Sequence, residues 1–155
     1  MLLLKYVCVI LHVITAAAWF GLGLPLARRA RATADVEPVA AAALAADGGR
    51  TVRLMSVFAI LTLVFSLAAF FLGGGFGAYG PQYHTSLLLI LAFVGVQLFL
   101  IGRGWSGLQA AVAAGGDAEA ARKKVAMGVG IGHTLWLALL VLMFWNQLRA
   151  GFLAL

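Results

Sequence analysis

The chain predicts an all-α integral membrane protein, an antiparallel four-helix bundle running up-down-up-down. Three observations predict it. The residues are 64% hydrophobic and only 10% charged, with a mean hydropathy of +1.05, well outside soluble globular usage. Apolar runs cover about 2–26, 54–72, 85–102 and 125–148, each near the roughly 20 residues that cross a bilayer as a helix. The connections between them are short, which favours antiparallel neighbours. Hydrocarbon offers no water to backbone N–H and C=O groups, so each run must be helical. At 155 residues the four spans make a single domain, 1–155.

The first run carries Ala16-Ala17-Ala18, which mimics a signal-peptide cleavage site. Lys5 is a thin basic start, however, and the apolar run continues through Trp19-Phe20-Gly21-Leu22, so it reads as a retained helix. Beyond it, Asp35-Val36-Glu37-Pro38 followed by 39–46 predicts a short surface helix stopped by Asp47-Gly48-Gly49. The second and third runs are joined by Gly73-Gly74-Gly75-Phe76-Gly77 and Gly80-Pro81, a tight loop rich in positions that suit positive φ. It follows no strand and holds no phosphate-loop lysine, so nucleotide binding is not supported. The stretch 108–114 is expected to prolong the third helix beyond the bilayer. Gly115-Gly116 would break it, and Asp117 would cap the fourth.

Charge sets the orientation. All but Lys5 and Arg149 of the 11 Lys/Arg lie in two segments, one holding Arg28, Arg29, Arg31, Arg50 and Arg53, the other Arg103, Arg122, Lys123 and Lys124. The glycine loop carries none. The positive-inside rule therefore puts both charged segments in the cytoplasm and both termini outside, in a bacterial cytoplasmic membrane. This arrangement accounts for the net charge of +6 without nucleic acid. All five acids lie in the same charged segments, which leaves no buried carboxylate for a proton relay. A single cysteine, Cys8, excludes an intrachain disulfide.

Two ionisable side chains, His12 and His133, fall deep within spans. Such a group costs on the order of a few kcal/mol in hydrocarbon and marks a functional site by default. Low dielectric favours the neutral imidazole, the form that ligates metals. On the first span Cys8, His12, Thr15, Ala16, Trp19 and Gly23 share a face by helical spacing. On the fourth, Gly128, Gly130 and Gly132 precede His133, and Trp136 and Leu140 follow on its face. Gly128-x-x-x-Gly132 is a membrane helix-packing motif. Space cleared beside both histidines suits a planar cofactor. They would differ in depth by roughly 9–10 Å at ~1.5 Å per residue, so a shared iron requires a tilted cofactor. Alternatively one ligates alone while the other bonds a propionate or a backbone carbonyl. The structural reading of either is a hydrogen bond to a neighbouring helix, through Thr62, Ser66 or Gln97. His84, beside Tyr83 at the outer mouth, reads as an interfacial residue. Copper is a weaker candidate: Cys8 and His12 are one turn apart, but Met55, Met127 and Met143 lie at other depths.

Leu11-His12-Val13, then Trp19-Phe20-Gly21, then Leu26-Ala27-Arg28, resembles the first helix of the HemJ-type protoporphyrinogen oxidases and of the related CopD-like membrane proteins. Leu54-Met55 through Phe65 is similar to that family's second helix, and Tyr83 to Leu89 with Gly102-Arg103 to its third. The resemblance implies haem b held by the first-helix histidine, which matches His12. Where the family has a third-helix lysine this chain has Ser86, and Gly130-Ile131-Gly132-His133 replaces an Asn-Glu-x-Pro-like segment.

These readings converge on a membrane protein holding haem b inside the bundle through His12 and His133, with an electron-transfer or redox-sensing role. Trp19 and Trp136 would wall the haem, and Arg28, Arg53 or Arg103 would pair with inward propionates, the outer loop with outward ones. The partners expected are the lipid bilayer, a redox partner or quinone, and a second copy or larger membrane complex. The other classes are a cofactor-free scaffolding subunit, a protoporphyrinogen-oxidase-like membrane haem oxidoreductase, and a copper-handling protein.

Overall fold

The computed structural model describes residues 1–153. All regular structure among them is helical: α1 (Leu2–Gly23), α2 (Leu26–Ala34), α3 (Pro38–Leu72), α4 (Pro81–Gly95), α5 (Arg103–Ala113), α6 (Glu119–Met143) and α7 (Trp145–Leu153). A wide π-helical stretch, Val96–Gly102, joins α4 to α5 without a break, so Pro81–Ala113 is one rod. Four helices are long and apolar enough to cross a bilayer: Leu2–Ala34, Pro38–Leu72, Pro81–Ala113 and Glu119–Met143. Proline opens α3 and α4, where its missing N–H costs nothing.

Three boundaries depart from the sequence expectation. Asp47-Gly48-Gly49 does not stop a surface helix. Residues 39–46 run without interruption into the second span as α3. The glycines serve packing instead: a Cβ on Gly48 would overlap the Trp105 indole, and one on Gly49 would lie 2.6 Å from Gln109 Nε2. Trp105 Nε1 and Gln109 Nε2 both donate to Ala45 O, at 3.0 and 3.1 Å. The fourth span ends at Met143, and Phe144 turns the chain into α7. Asp117 caps α6 from one residue further out than expected, its Oδ1 accepting from Glu119 N at 2.8 Å. As expected, α5 continues to Ala113, and Gly115 (φ +62°) makes the turn that follows.

α1 packs along α3, and α4 along α6. The short α2, offset by the Leu24-Pro25 turn, wedges between α3 and α6. The buried core runs through Trp19, Leu26, Met55, Phe93, Ile101 and Trp105. Other large apolar side chains, such as Ile10, Val57, Leu88 and Leu137, cover the outside, as helices bathed in lipid require. One end of the bundle carries every arginine but Arg149. The other carries Lys5, the glycine loop and α7, which holds Arg149.

Candidate functional site

A cavity of about 620 Å³ opens among α1, α3, α4 and α6 in the half of the bundle nearer the glycine loop. That is within the range of roughly 300–1,000 Å³ typical of cofactor and ligand sites. Its wall is overwhelmingly apolar. The polar groups reaching it are His12, Thr62, Ser66 and Ser86, with Lys5 and the phenols of Tyr79 and Tyr83 at its end.

His12 is half-buried on that wall. Its Nδ1 lies 3.0 Å from Thr62 O on α3. A carbonyl only accepts, so in the neutral ring Nδ1 carries the hydrogen and Nε2 carries the lone pair. Nε2 has no hydrogen-bond partner among the described residues, which leaves it as the nitrogen available to the cavity. The bond is braced from both helices. Thr15 Oγ1 donates to Leu11 O at 2.9 Å, and Thr62 Oγ1 lies 3.0 Å from Thr15 Oγ1 and 2.7 Å from Phe58 O. Metal-ligating histidines are oriented in this way, with the second nitrogen donating to a carbonyl that fixes tautomer and ring plane.

His133 is placed differently. It does not line the cavity. Its Nδ1 lies 2.8 Å from Val129 O and its Nε2 3.3 Å from Phe20 O, and the neutral ring can donate to only one of these at a time. The ring sits 4.7 Å from Phe20 and 5.4 Å from Trp19, centroid to centroid. A Cβ on Gly23 would meet its Cε1 at 2.8 Å. Gly23 thus makes room for the histidine, and Gly132 for the Trp19 ring.

Of the other sequence candidates, Trp136 reaches the cavity and seals its inner part, Nε1 donating to Ala16 O at 3.1 Å. Trp19 lies behind it, fully buried, edge-on to Phe93 at 4.4 Å. Arg28, Arg53 and Arg103 are exposed at the opposite end, Arg103 lying 4.8 Å over the Phe99 ring. Cys8 is buried on α1 but does not line the cavity. His84 packs 5.1 Å from Phe76 and 6.4 Å from Phe70, off the wall, with its Nε2 buried and unpartnered.

The structure also brings in residues that the sequence did not single out. Lys5, one turn from the chain start, stands 5.7 Å from the Tyr79 ring, and Tyr79 contacts both Phe70 and Tyr83, at 5.3 and 4.8 Å. Spacing on α1 alone places Lys5 two turns from His12 on one face; only the loop's fold adds the tyrosines.

No group of three or more His, Cys, Asp or Glu side chains gathers among the described residues. A wall with one oriented imidazole supplies a single ligand to a metal already held in a macrocycle, and no cage for a bare ion. The wall thus offers one oriented imidazole to a bound group, with Lys5 and the two phenols at its end suited to carboxylates. No protein-family model, curated protein or solved structure matches the chain.

Proposed function

We propose that the chain is a four-span protein of the bacterial cytoplasmic membrane that binds haem b in this cavity, with an electron-transfer or redox-sensing role. The observation that carries the reading is His12 on the wall of a cofactor-sized apolar cavity, with its Nδ1 fixed on Thr62 O at 3.0 Å. When bound, haem iron supplies one-electron chemistry, tuned by axial ligation and burial. His12 Nε2 would hold the iron, with the Thr62 carbonyl raising its basicity through Nδ1–H. Lys5, Tyr79 and Tyr83 would hold the propionates at the outer end. Trp136 and Phe93 exclude water from the inner part. His133, engaged with two carbonyls outside the cavity, would not be a ligand in this arrangement. The first-helix resemblance to the HemJ-type family points to the same histidine. The charge distribution supports up-down-up-down topology with both termini outside.

The test is the absorption spectrum of the full chain reconstituted with hemin. The expected result is a Soret band of high-spin character that shifts with carbon monoxide after reduction. His12→Ala should lose most of the haem, and imidazole added to His12→Gly should restore the band. His133→Ala should keep the wild-type spectrum. A low-spin wild type that turns high-spin in His133→Ala would instead assign the His12–His133 pair, and an unchanged spectrum in His12→Ala would sink the reading.

A further inference from the structure

The exposed residues on the cavity wall gather on one side of the bundle. Among the residues that line it, those that are also exposed are Val13 and Ala17 on α1, and Leu140 and Phe144 at the end of α6. Those contributed by α3 and α4 are buried or half-buried.

The cause lies in how α1 and α6 meet. Their hydrogen bonds and ring contacts join residues 16–23 to residues 132–136. From Trp136 toward Lys5 no such contact joins them among the described residues, and small Ala16 and Ala17 leave the flank open. At the far end of the cavity Phe70 stacked on Tyr79, with Tyr83 tilted against Tyr79, forms a cap. Lys5 stands beside that cap without an Asp or Glu in ion-pair range among the described residues. In hydrocarbon the exposed flank faces lipid tails, not water, so the open side admits molecules already dissolved in the bilayer.

We infer that the cleft between the outer halves of α1 and α6 is a lateral portal, through which an amphiphile bearing an acidic group passes from the lipid into the cavity. Its apolar body slides between Val13 and Leu140, and its carboxylate reaches Lys5 near the headgroup level. A long cationic side chain close to a helix end extends to that depth. Haem propionates and a fatty-acid carboxylate share this chemistry. The inference rests on the cavity being a ligand site, but not on iron ligation by His12.

The experiment uses the full chain in lipid nanodiscs and two probes, hemin and a stearic acid spin-labelled at mid-chain. The acid should show an immobilised component in its spectrum, competed by excess stearate. Ala17→Trp with Leu140→Trp should fill to the same extent but roughly tenfold more slowly, because the path and not the site is obstructed. A gentler pair, Val13→Phe with Leu140→Phe, keeps the test open if the tryptophans disturb folding. Lys5→Gln should weaken the acid roughly tenfold, about 1.4 kcal/mol, and leave its methyl ester unaffected. Slowing of both probes supports a portal for acidic amphiphiles at large, and slowing of hemin alone supports one for porphyrin carboxylates. Uptake of both probes unchanged in both blocked pairs overturns the inference, as does failure of the spin-labelled acid to bind. Fatty-acid uptake needs no iron ligand, so it reads the portal even where the haem spectrum fails.

Discussion

Gln97 is fully buried in the first turn of the π-helical stretch, and its amide ties three helices together. Oε1 accepts from Trp19 Nε1 at 2.8 Å, while Nε2 donates to Ser56 Oγ at 3.0 Å and reaches Val52 O at 3.3 Å. An uncharged amide can satisfy an indole N–H and a hydroxyl together without the desolvation cost of an ion, which is why Gln suits this depth. Replacing it strands the indole N–H in a fully buried site. Gln97→Leu should cost roughly 1–3 kcal/mol, read as a lower midpoint in denaturant titration of the purified protein. Trp19→Phe removes the donor, so the Gln97→Leu, Trp19→Phe cycle should show a coupling of about 0.5–2 kcal/mol. Additive losses would mean that the 2.8 Å bond adds nothing beyond the packing of each ring and chain.

The helices themselves were legible in the sequence because hydrophobic length and the absence of charge are local properties. Gly115-Gly116 was legible as a turn for the same reason, since Gly115 adopts φ +62°. Gly48 was not. A glycine that relieves a steric clash with a residue 57 positions later looks, in sequence, like a glycine that ends a helix. The cavity was half legible: His12 announced itself as an ionisable group in a span, but the Thr62 carbonyl that fixes its tautomer is backbone and leaves no residue signature. His133 announced itself equally well and proved to be engaged elsewhere in the packing. The motif Gly128-x-x-x-Gly132 also resolves into two separate contacts. A Cβ on Gly128 would lie 2.9 Å from Leu100 and Ile101 side chains, and one on Gly132 would lie 2.7 Å from Trp19. Gly130, between them, has nothing within 4 Å of the same position. Gly132→Ala should therefore destabilise the protein by roughly 1–3 kcal/mol through overpacking. Gly130→Ala should be neutral or stabilise it by up to about 1 kcal/mol through helix propensity. Equal effects at the two positions, in thermal denaturation followed by circular dichroism, would show that the packing assigned to Trp19 against Gly132 is wrong.

At the scale of the whole molecule, charge and shape point the same way. Arg28, Arg53, Arg103 and Lys124 gather at the end where α2, α5 and the start of α3 and α6 extend the bundle beyond its apolar belt. That end holds the ion pairs of Arg29 with Asp47, at 3.6 Å, and of Glu119 with Arg122 and Lys123. The opposite end holds tyrosines, glycines and the Trp145 helix, a composition suited to a membrane–water interface. Exposed pairs are worth about 0–1 kcal/mol, so their contribution to stability is minor, whereas the positive-inside rule predicts that the arginines hold their end in the cytoplasm. Two exposed loop positions test this without disturbing packing: Ala114, after α5, and Ala78, in the glycine loop. In a Cys8→Ser background, Ala78→Cys should react with a membrane-impermeant maleimide on intact cells, and Ala114→Cys only after the membrane is opened. Neutralising Arg28, Arg29 and Arg31 together should let part of the population insert the other way, since these residues flank the first span, which usually dominates orientation. Labelling of Ala114→Cys on intact cells carrying the full set of arginines would invert the topology. It would also put the cavity, Lys5 and the portal in the cytoplasmic leaflet, where an acidic amphiphile would have to be sought instead.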